Sequence, residues 1–192
     1  MLVLSLCDFS GTWSAPYRAA GYTVLQVDLK LGGDARLFKK LCEPVHGILC
    51  APVCTEFSAA GARHWAAKEA AGNQGLLDGL ALVDACLRIV AVHKPKWWVL
   101  ENPVGRLKDY IGHHRCTFNP NEYAGYLDDS EAEAYTKRTC LWGDFVVPKK
   151  KEVPPVLGSK MWTSYGGKSE RTKTLRSITP RGFAAAFFGA NP

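Results

Sequence analysis

The sequence predicts an α/β protein built on a mostly parallel central sheet with helices on both faces. Apolar runs of strand length recur at residues 3–8, 22–27, 47–50 and 97–100. Between the last two lies a helical pattern, in which Leu76, Leu77, Leu80, Val83, Leu87 and Val90 recur at spacings of three and four. Strands alternating with helices need crossover connections, and those connections build parallel sheets. The third observation is that each run stops at residues suited to a turn or a site: Asp8, Asp28, Pro52 and Glu101-Asn102-Pro103.

The first run ends in Asp8-Phe9-Ser10-Gly11-Thr12. Small residues after a strand let the backbone approach a ligand closely. The opening Met1-Leu2-Val3-Leu4-Ser5-Leu6 lacks a basic lead and meets Asp8 at once, so it is a strand and not a leader. Residues 14–20 suit a short helix, with Pro16 in its first turn and Gly21 at its end. Asp28 closes the second run, where it is equally suited to holding ribose hydroxyls or to capping a turn. Gly33-Asp34-Ala35 marks a turn before a short helix at 36–42.

The stretch 47–58 organises the chain. Its strand is ended by Pro52, which carries no N–H for a ladder. Cys54 then falls just past the carboxyl end of a strand, where open α/β sheets bind ligands. A helix starting behind it would favour a thiolate. Cys54 is therefore the candidate nucleophile, with a buried thiol as the alternative. Residues 63–74 are polar and alanine-rich, a loop or helix over the site. Glu101 follows its strand directly and points to the same crevice, unless Asn102-Pro103 merely builds a turn.

Further on, 106–115 is helical and then loop-like, 119–130 is rich in turn formers, and a strand at 140–143 follows Lys137-Arg138-Thr139. Residues 148–155 form a basic, proline-rich linker whose Lys149, Lys150 and Lys151 suit a solvated surface or phosphate contact. Residues 158–173 are loop-like. Thr179-Pro180 opens a terminal helix at 182–190 that docks Phe183, Phe187 and Phe188 on the core. The expected organisation is a core at 1–147, a linker or reduced recognition loop at 148–176, and a returning helix at 177–192.

Composition bounds the function classes. With 192 residues, 47% hydrophobic and 22% charged, the chain is an ordinary globular domain. No apolar run approaches the roughly 20 residues of a membrane span. A net charge of +6 fits a polyanionic partner. Seven cysteines at scattered spacings point to reduced thiols in a cytosolic compartment. Cys42, His46, Cys50 and Cys54 lie four apart, but Pro44 and the strand between them break any shared helical face, so no metal is assigned. His113-His114 with Cys116 suits an exposed polar loop.

Taken in order, Asp8-Phe9-Ser10-Gly11, Asp28, Gly33-Asp34, Ala51-Pro52-Val53-Cys54-Thr55-Glu56-Phe57-Ser58, Leu100-Glu101-Asn102-Pro103, Lys137-Arg138-Thr139 and the closing Ser177-Ile178-Thr179-Pro180-Arg181-Gly182-Phe183-Ala184 resemble the DNA (cytosine-5)-methyltransferases, particularly short phage-type members. The resemblance implies a Rossmann-like, S-adenosylmethionine-dependent methyltransferase fold. It implies methyl transfer to C5 of cytosine in DNA through a covalent cysteine adduct, the EC 2.1.1.37 reaction. By position, Asp8, Phe9, Ser10, Gly11, Thr12 and Pro52 would border the cofactor, with Phe9, Ser10 and Gly11 along its methionine end. Asp28 would take the ribose hydroxyls, Asp34 the adenine amino group, and Asn191 would close the cofactor site. Cys54 would be the nucleophile, Glu101 the acid gripping the base, and Arg138 the support for both base and Glu101. The implied partner is DNA, as a duplex with a flipped cytosine or as a single strand, and the implied setting is the cytoplasm of a bacterium or phage-infected cell.

Two departures shape the expectation. Val53 stands where the family usually carries a second proline, which leaves the Cys54 loop less constrained. Only about forty residues separate Arg138 from the terminal helix, so little chain is available for major-groove readout. A partner chain supplying specificity, a homodimer, a catalytically idle cofactor- or DNA-binding subunit, and an enzyme acting on free nucleotides or RNA all follow from that shortage.

Overall fold

Leu2, Leu4 and Leu6 of the first strand join one apolar cluster while Val3 joins another, so this strand is covered on both faces. That pattern belongs to the inside of a parallel sheet. The computed structural model describes residues 1–159 and 169–192. Its strands are β1 (Leu2–Leu6), β2 (Thr23–Val27), β3 (Val45–Cys50), β4 (Trp97–Pro103), β5 (Cys116–Phe118) and β6 (Thr139–Asp144), in the order β2-β1-β3-β4-β6-β5. The pairs β1–β2, β1–β3 and β3–β4 are parallel, whereas β6 runs antiparallel to both β4 and β5.

Helices cover both faces. On one side α3 (Gln74–His93) buries Leu76, Val83, Cys86 and Ile89 against Leu4, Ile48 and Leu100. On the other, α1 (Ala15–Ala19) and α6 (Arg181–Ala190) pack Trp13, Tyr17, Phe183 and Phe187 against Val3, Leu49 and Val99. Phe183 stacks on Phe118 with ring centroids 3.9 Å apart. The first turn of α6 is anchored by the buried Glu133, whose carboxylate accepts from Arg181 N at 2.6 Å and Gly182 N at 2.9 Å. An anion at a helix N-terminus satisfies amides that have no partner inside the helix.

Several elements differ from the sequence expectation. The helix expected at 36–42 is only a 3₁₀ turn, Ala35–Leu37. The Arg88 guanidinium takes the carbonyls of Ala35, Arg36 and Phe38, which a longer helix would have used. The stretch 106–115, expected to be helical and then loop-like, forms α4 (Lys108–Ile111), which stops where Gly112 adopts φ +83°. Residues 65–70 form α2 (Trp65–Ala70). The segment 151–158 is not slack: Lys151 N donates to Glu122 O, Val153 N to Asn121 O, and Thr136 N to Gly158 O. Lys150 pairs with Glu122 at 3.2 Å and Lys151 lies 4.7 Å from the Tyr126 ring. Of the expected linker at 148–176, residues 160–168 lie outside the described residues, and α5 (Glu170–Ser177) follows them. Among the described residues no helix is long and apolar enough to cross a membrane.

Candidate active site

The strand order reverses between β1 and β3, and ligands of open α/β sheets bind at the carboxyl ends of strands beside such a reversal. The β3 end carries the turn of Cys54. Phe57 N and Ser58 N both donate to Cys54 O at 3.0 Å. The chain beyond β4 then clamps this turn. Ser58 and Gly105 form an antiparallel bridge, Ala59 N donates to Val104 O at 2.9 Å, and Arg106 N donates to Phe57 O at 2.9 Å. A Cβ on Gly105 would lie 1.8 Å from Phe57 O, so only glycine permits the approach. The buried Asn102 adds a side-chain bond, Nδ2 donating to Pro52 O at 3.0 Å.

Glu101 sits inside β4, paired with Leu141 of β6, one register position beyond the last β3–β4 pair, Cys50–Leu100. Burial pushes its carboxyl above the ordinary carboxylate range; the Lys137 ammonium pulls it back and Asp8 pushes it further up. Burial likewise raises the Cys54 thiol, opposed by Lys137 and Arg176 and reinforced by Glu101. Cys54 therefore senses the Glu101 charge, and both groups sense the same cation. Beside Glu101 a small crevice is walled by Lys137, Thr139, Thr179 and Phe183.

The structure does not bring Arg138 to this pair. Arg138 is exposed, and its charge acts on His114 and Cys140. Strand alternation is the reason. Leu141 belongs to the α6-side cluster and Cys140 and Trp142 to the α3-side cluster, so Thr139 and Lys137 share the face of Glu101. Counting back from the apolar residues of β6 would have found Lys137; the residue type alone pointed to its neighbour.

On the β1 side, Asp8 is buried and accepts from Ser5 Oγ, Ser10 Oγ and Gly11 N at 2.9–3.0 Å. Gly11 has φ +66°, a conformation that favours glycine, and this closes the turn. Thr12 N donates to Ser10 Oγ. Phe9 is 42% exposed, with Lys30 Nζ 5.0 Å from its ring centroid. Asp28, at the β2 end, accepts from Lys30 N at 2.8 Å. An exposed ring, a tight turn and a carboxylate at adjacent strand ends suit the donor set of a nucleoside-bearing ligand, with Pro52 buried on the facing side. Asp34 fits less well, because both carboxylate oxygens are held by the Arg36 guanidinium, which also lowers its pKa.

No family model and no curated protein matches the chain. Among solved structures, a proposed DNA modification methyltransferase encoded within an E. coli prophage aligns with a TM-score of 0.53 and 14% identity, over 80% of this chain and 52% of that one. The fold is Rossmann-like, of the methyltransferase type. The chain spans about half the length of that structure.

Within this methyltransferase fold Asn191 is misplaced for its expected role. It lies at the amino-terminal end of the parallel strands, beside Val146 and Phe187, and the neighbouring Pro192 carbonyl meets His46 of β3. Its side chain is taken up by Val146 N, Val146 O and Phe187 O, so it locks α6 to the end of β6 and is far from Cys54. Across the opposite, carboxyl-terminal end runs α5. Lys30 Nζ donates to Thr174 Oγ1 at 3.2 Å and Lys137 Nζ donates to Arg176 O at 2.7 Å. Neither of these straps was legible, since residues 158–173 carry no periodicity. Among the described residues no three His, Cys, Asp or Glu side chains converge as metal ligands, and all seven cysteines are free.

Proposed function

We propose that the chain is a DNA methyltransferase acting on C5 of cytosine, with S-adenosylmethionine as methyl donor. The observation that carries this reading is that the turn of Cys54 after β3 and the Glu101 position of the adjacent β4 are tied together by the Asn102 Nδ2–Pro52 O bond at 3.0 Å, with Lys137 acting on both groups.

Cytosine C5 is a poor nucleophile, and a Cys54 thiolate adding at C6 makes it enamine-like; once C5 has taken the methyl, loss of the C5 proton to a base breaks the sulfur–C6 bond and releases the Cys54 thiolate. Negative charge then builds on the ring. A protonated Glu101 beside ring N3 offsets it, and the burial that raises the carboxyl pKa favours that protonated form. Lys137 stabilises the thiolate before attack and the pyrimidine charge after it. The turn Phe9–Gly11 and Asp28 would hold the donor, which supplies an electrophilic methyl when bound. A base that reaches Cys54 and Glu101 must first leave its stack, and Lys137 and Arg176 give the surroundings of Cys54 the sign that a nucleic-acid backbone requires. The roughly forty residues between Arg138 and α6 leave little chain for major-groove readout, which argues for weak intrinsic sequence readout with specificity borrowed from a partner chain.

The test is trapping. With S-adenosylmethionine and duplex DNA bearing 5-fluorocytosine, a denaturation-stable adduct is expected for the wild type and none for Cys54→Ala. Single-stranded DNA, RNA and dCMP serve as competing acceptors. Methyl transfer to dCMP or RNA in preference to DNA would move the reading to those substrates. No adduct and no methylated product with any acceptor would overturn it.

A further inference from the structure

Arg106 stands apart from the catalytic pair but reaches the turn that carries it. It is 9% exposed, low for a charged side chain. Its backbone N holds Phe57 O, and its Nε donates to Glu56 O at 2.8 Å. Backbone pairing between 104–106 and 57–59 stops at Phe57, so the guanidinium carries the clamp one residue closer to Cys54. The guanidinium carbon lies 4.5 Å from the centroid of the Trp65 ring on α2. Lys68 of the same helix draws Glu56 Oε1 to 2.5 Å. Glu56 Oε2 and Arg106 NH2 remain 3.9 Å apart, and both, with Trp65 Nε1, are buried without hydrogen-bond partners.

From this geometry we infer that Arg106 is a positioning residue for Cys54: it fixes the 54–57 turn from the segment that directly follows the strand carrying Glu101, with Trp65 setting the plane of the guanidinium. The inference rests on the reading of Cys54 as the nucleophile. A guanidinium suits the task because its donors form a rigid planar fork and its face stacks on an aromatic ring. Lys68 sets the choice of partner. By occupying the Glu56 carboxylate, it leaves the Arg106 Nε–H to the main-chain carbonyl, which is the group that moves with Cys54. The nucleophile and the acid are thereby held by one continuous segment, 101–106, and shift together or not at all.

The experiment compares the wild type with Arg106→Gln, Arg106→Lys and Trp65→Leu. Arg106→Gln is expected to slow single-turnover methylation about tenfold to a hundredfold, the penalty for a reacting atom displaced by about an ångström. Affinities for DNA and S-adenosylmethionine should stay within about twofold of the wild type, since effects confined to the transition state spare ground-state binding. Arg106→Lys should recover part of the rate and Trp65→Leu should lose a smaller part. A purely structural role would lower the melting temperature and leave the rate per folded molecule unchanged, which would overturn the inference. Should Arg106→Gln not fold, Trp65→Leu decides by the same criteria. The rate of alkylation at Cys54, followed by mass spectrometry of its peptide, separates this inference from the proposed function. If the wild type methylates nothing but Arg106→Gln changes Cys54 alkylation, the positioning role stands and the methyltransferase reading fails. Equal alkylation and equal turnover in both proteins sink the inference.

Discussion

Asn102 Nδ2 donates to the Pro52 carbonyl at 3.0 Å and so ties the strand end bearing Glu101 to the strand end bearing Cys54. The β3–β4 ladder has already ended at Cys50–Leu100, so this side-chain bond continues the connection where backbone pairing has stopped. Asn102 is fully buried. Replacing it with alanine should destabilise the fold by about 1–3 kcal/mol, because a buried carbonyl loses its donor. Methyl transfer per folded molecule should fall as well, since Cys54 and Glu101 lose their common reference. Chemical denaturation and single-turnover rates measured on the same preparation check both parts. A stability loss with no rate loss would mean that Gly105 and Arg106 hold the register unaided.

Lys137 and Arg138 make a paired prediction. Lys137 faces Cys54 and Glu101, whereas Arg138 is exposed and acts on His114 and Cys140. Lys137→Met should therefore lower the methylation rate by about a hundredfold or more, the scale of losing an electrostatic stabiliser in a desolvated site. Arg138→Met should leave the chemical step within a few-fold and act mainly on the salt dependence of DNA binding. The reverse pattern would place the catalytic cation on the wrong side of β6.

The pH dependence follows from two shifts of the same sign. Under the proposed mechanism methyl transfer needs Cys54 ionised and Glu101 protonated, and burial raises both pKa values. Because the thiol remains the weaker acid of the two, the rate should rise with pH until Glu101 begins to lose its proton, stay level while the two ionisations offset one another, and fall once the thiol is fully ionised, with the rising limb ending above the ordinary carboxylate range. Lys137→Met removes the charge that lowers both, so both limbs should move to higher pH. Stability carries its own signature. A carboxyl whose folded pKa exceeds its unfolded value contributes stability below the unfolded value, and this is lost as pH rises through the folded one. The melting temperature of the wild type should thus decline across that window more than that of Glu101→Gln.

The positions that the sequence disclosed are those where a strand stops for a chemical reason. Cys54 after Pro52 and Asp8 before Gly11 lie just past strand ends, which short apolar runs bounded by turn residues mark well, whereas Glu101 lies inside β4, which runs on to Pro103. Lys137 was hidden because a basic pair at the start of a strand does not say which member faces inward; the alternation through Leu141 and Thr139 decides that. Arg106 was hidden because its partners are main-chain carbonyls, which leave no trace in composition. β5 escaped notice because three residues are too short to show a period.

Asn191 shows how position within a chain misleads. Near the end of the sequence it was expected at the cofactor, but a helix leaving the carboxyl end of the sheet delivers its own C-terminus to the opposite end. α6 begins beside Glu133, Thr179 and Phe183 near Glu101, and ten residues later it has crossed the sheet to Val146 and His46. At about 1.5 Å per residue such a helix spans about 15 Å, close to the length of the strands beneath it. Asn191 there both accepts from and donates to the backbone of Val146 and also donates to Phe187 O, while its own carbonyl accepts from Tyr17 at 2.8 Å. Asn191→Ala should therefore cost about 2–4 kcal/mol, since buried backbone groups at the end of β6 lose their partners. S-adenosylmethionine affinity should not change beyond what the folded fraction explains. Calorimetric binding at a temperature where both proteins are fully folded, set against their melting curves, separates the two; a loss of cofactor affinity without loss of stability would return Asn191 to the cofactor site.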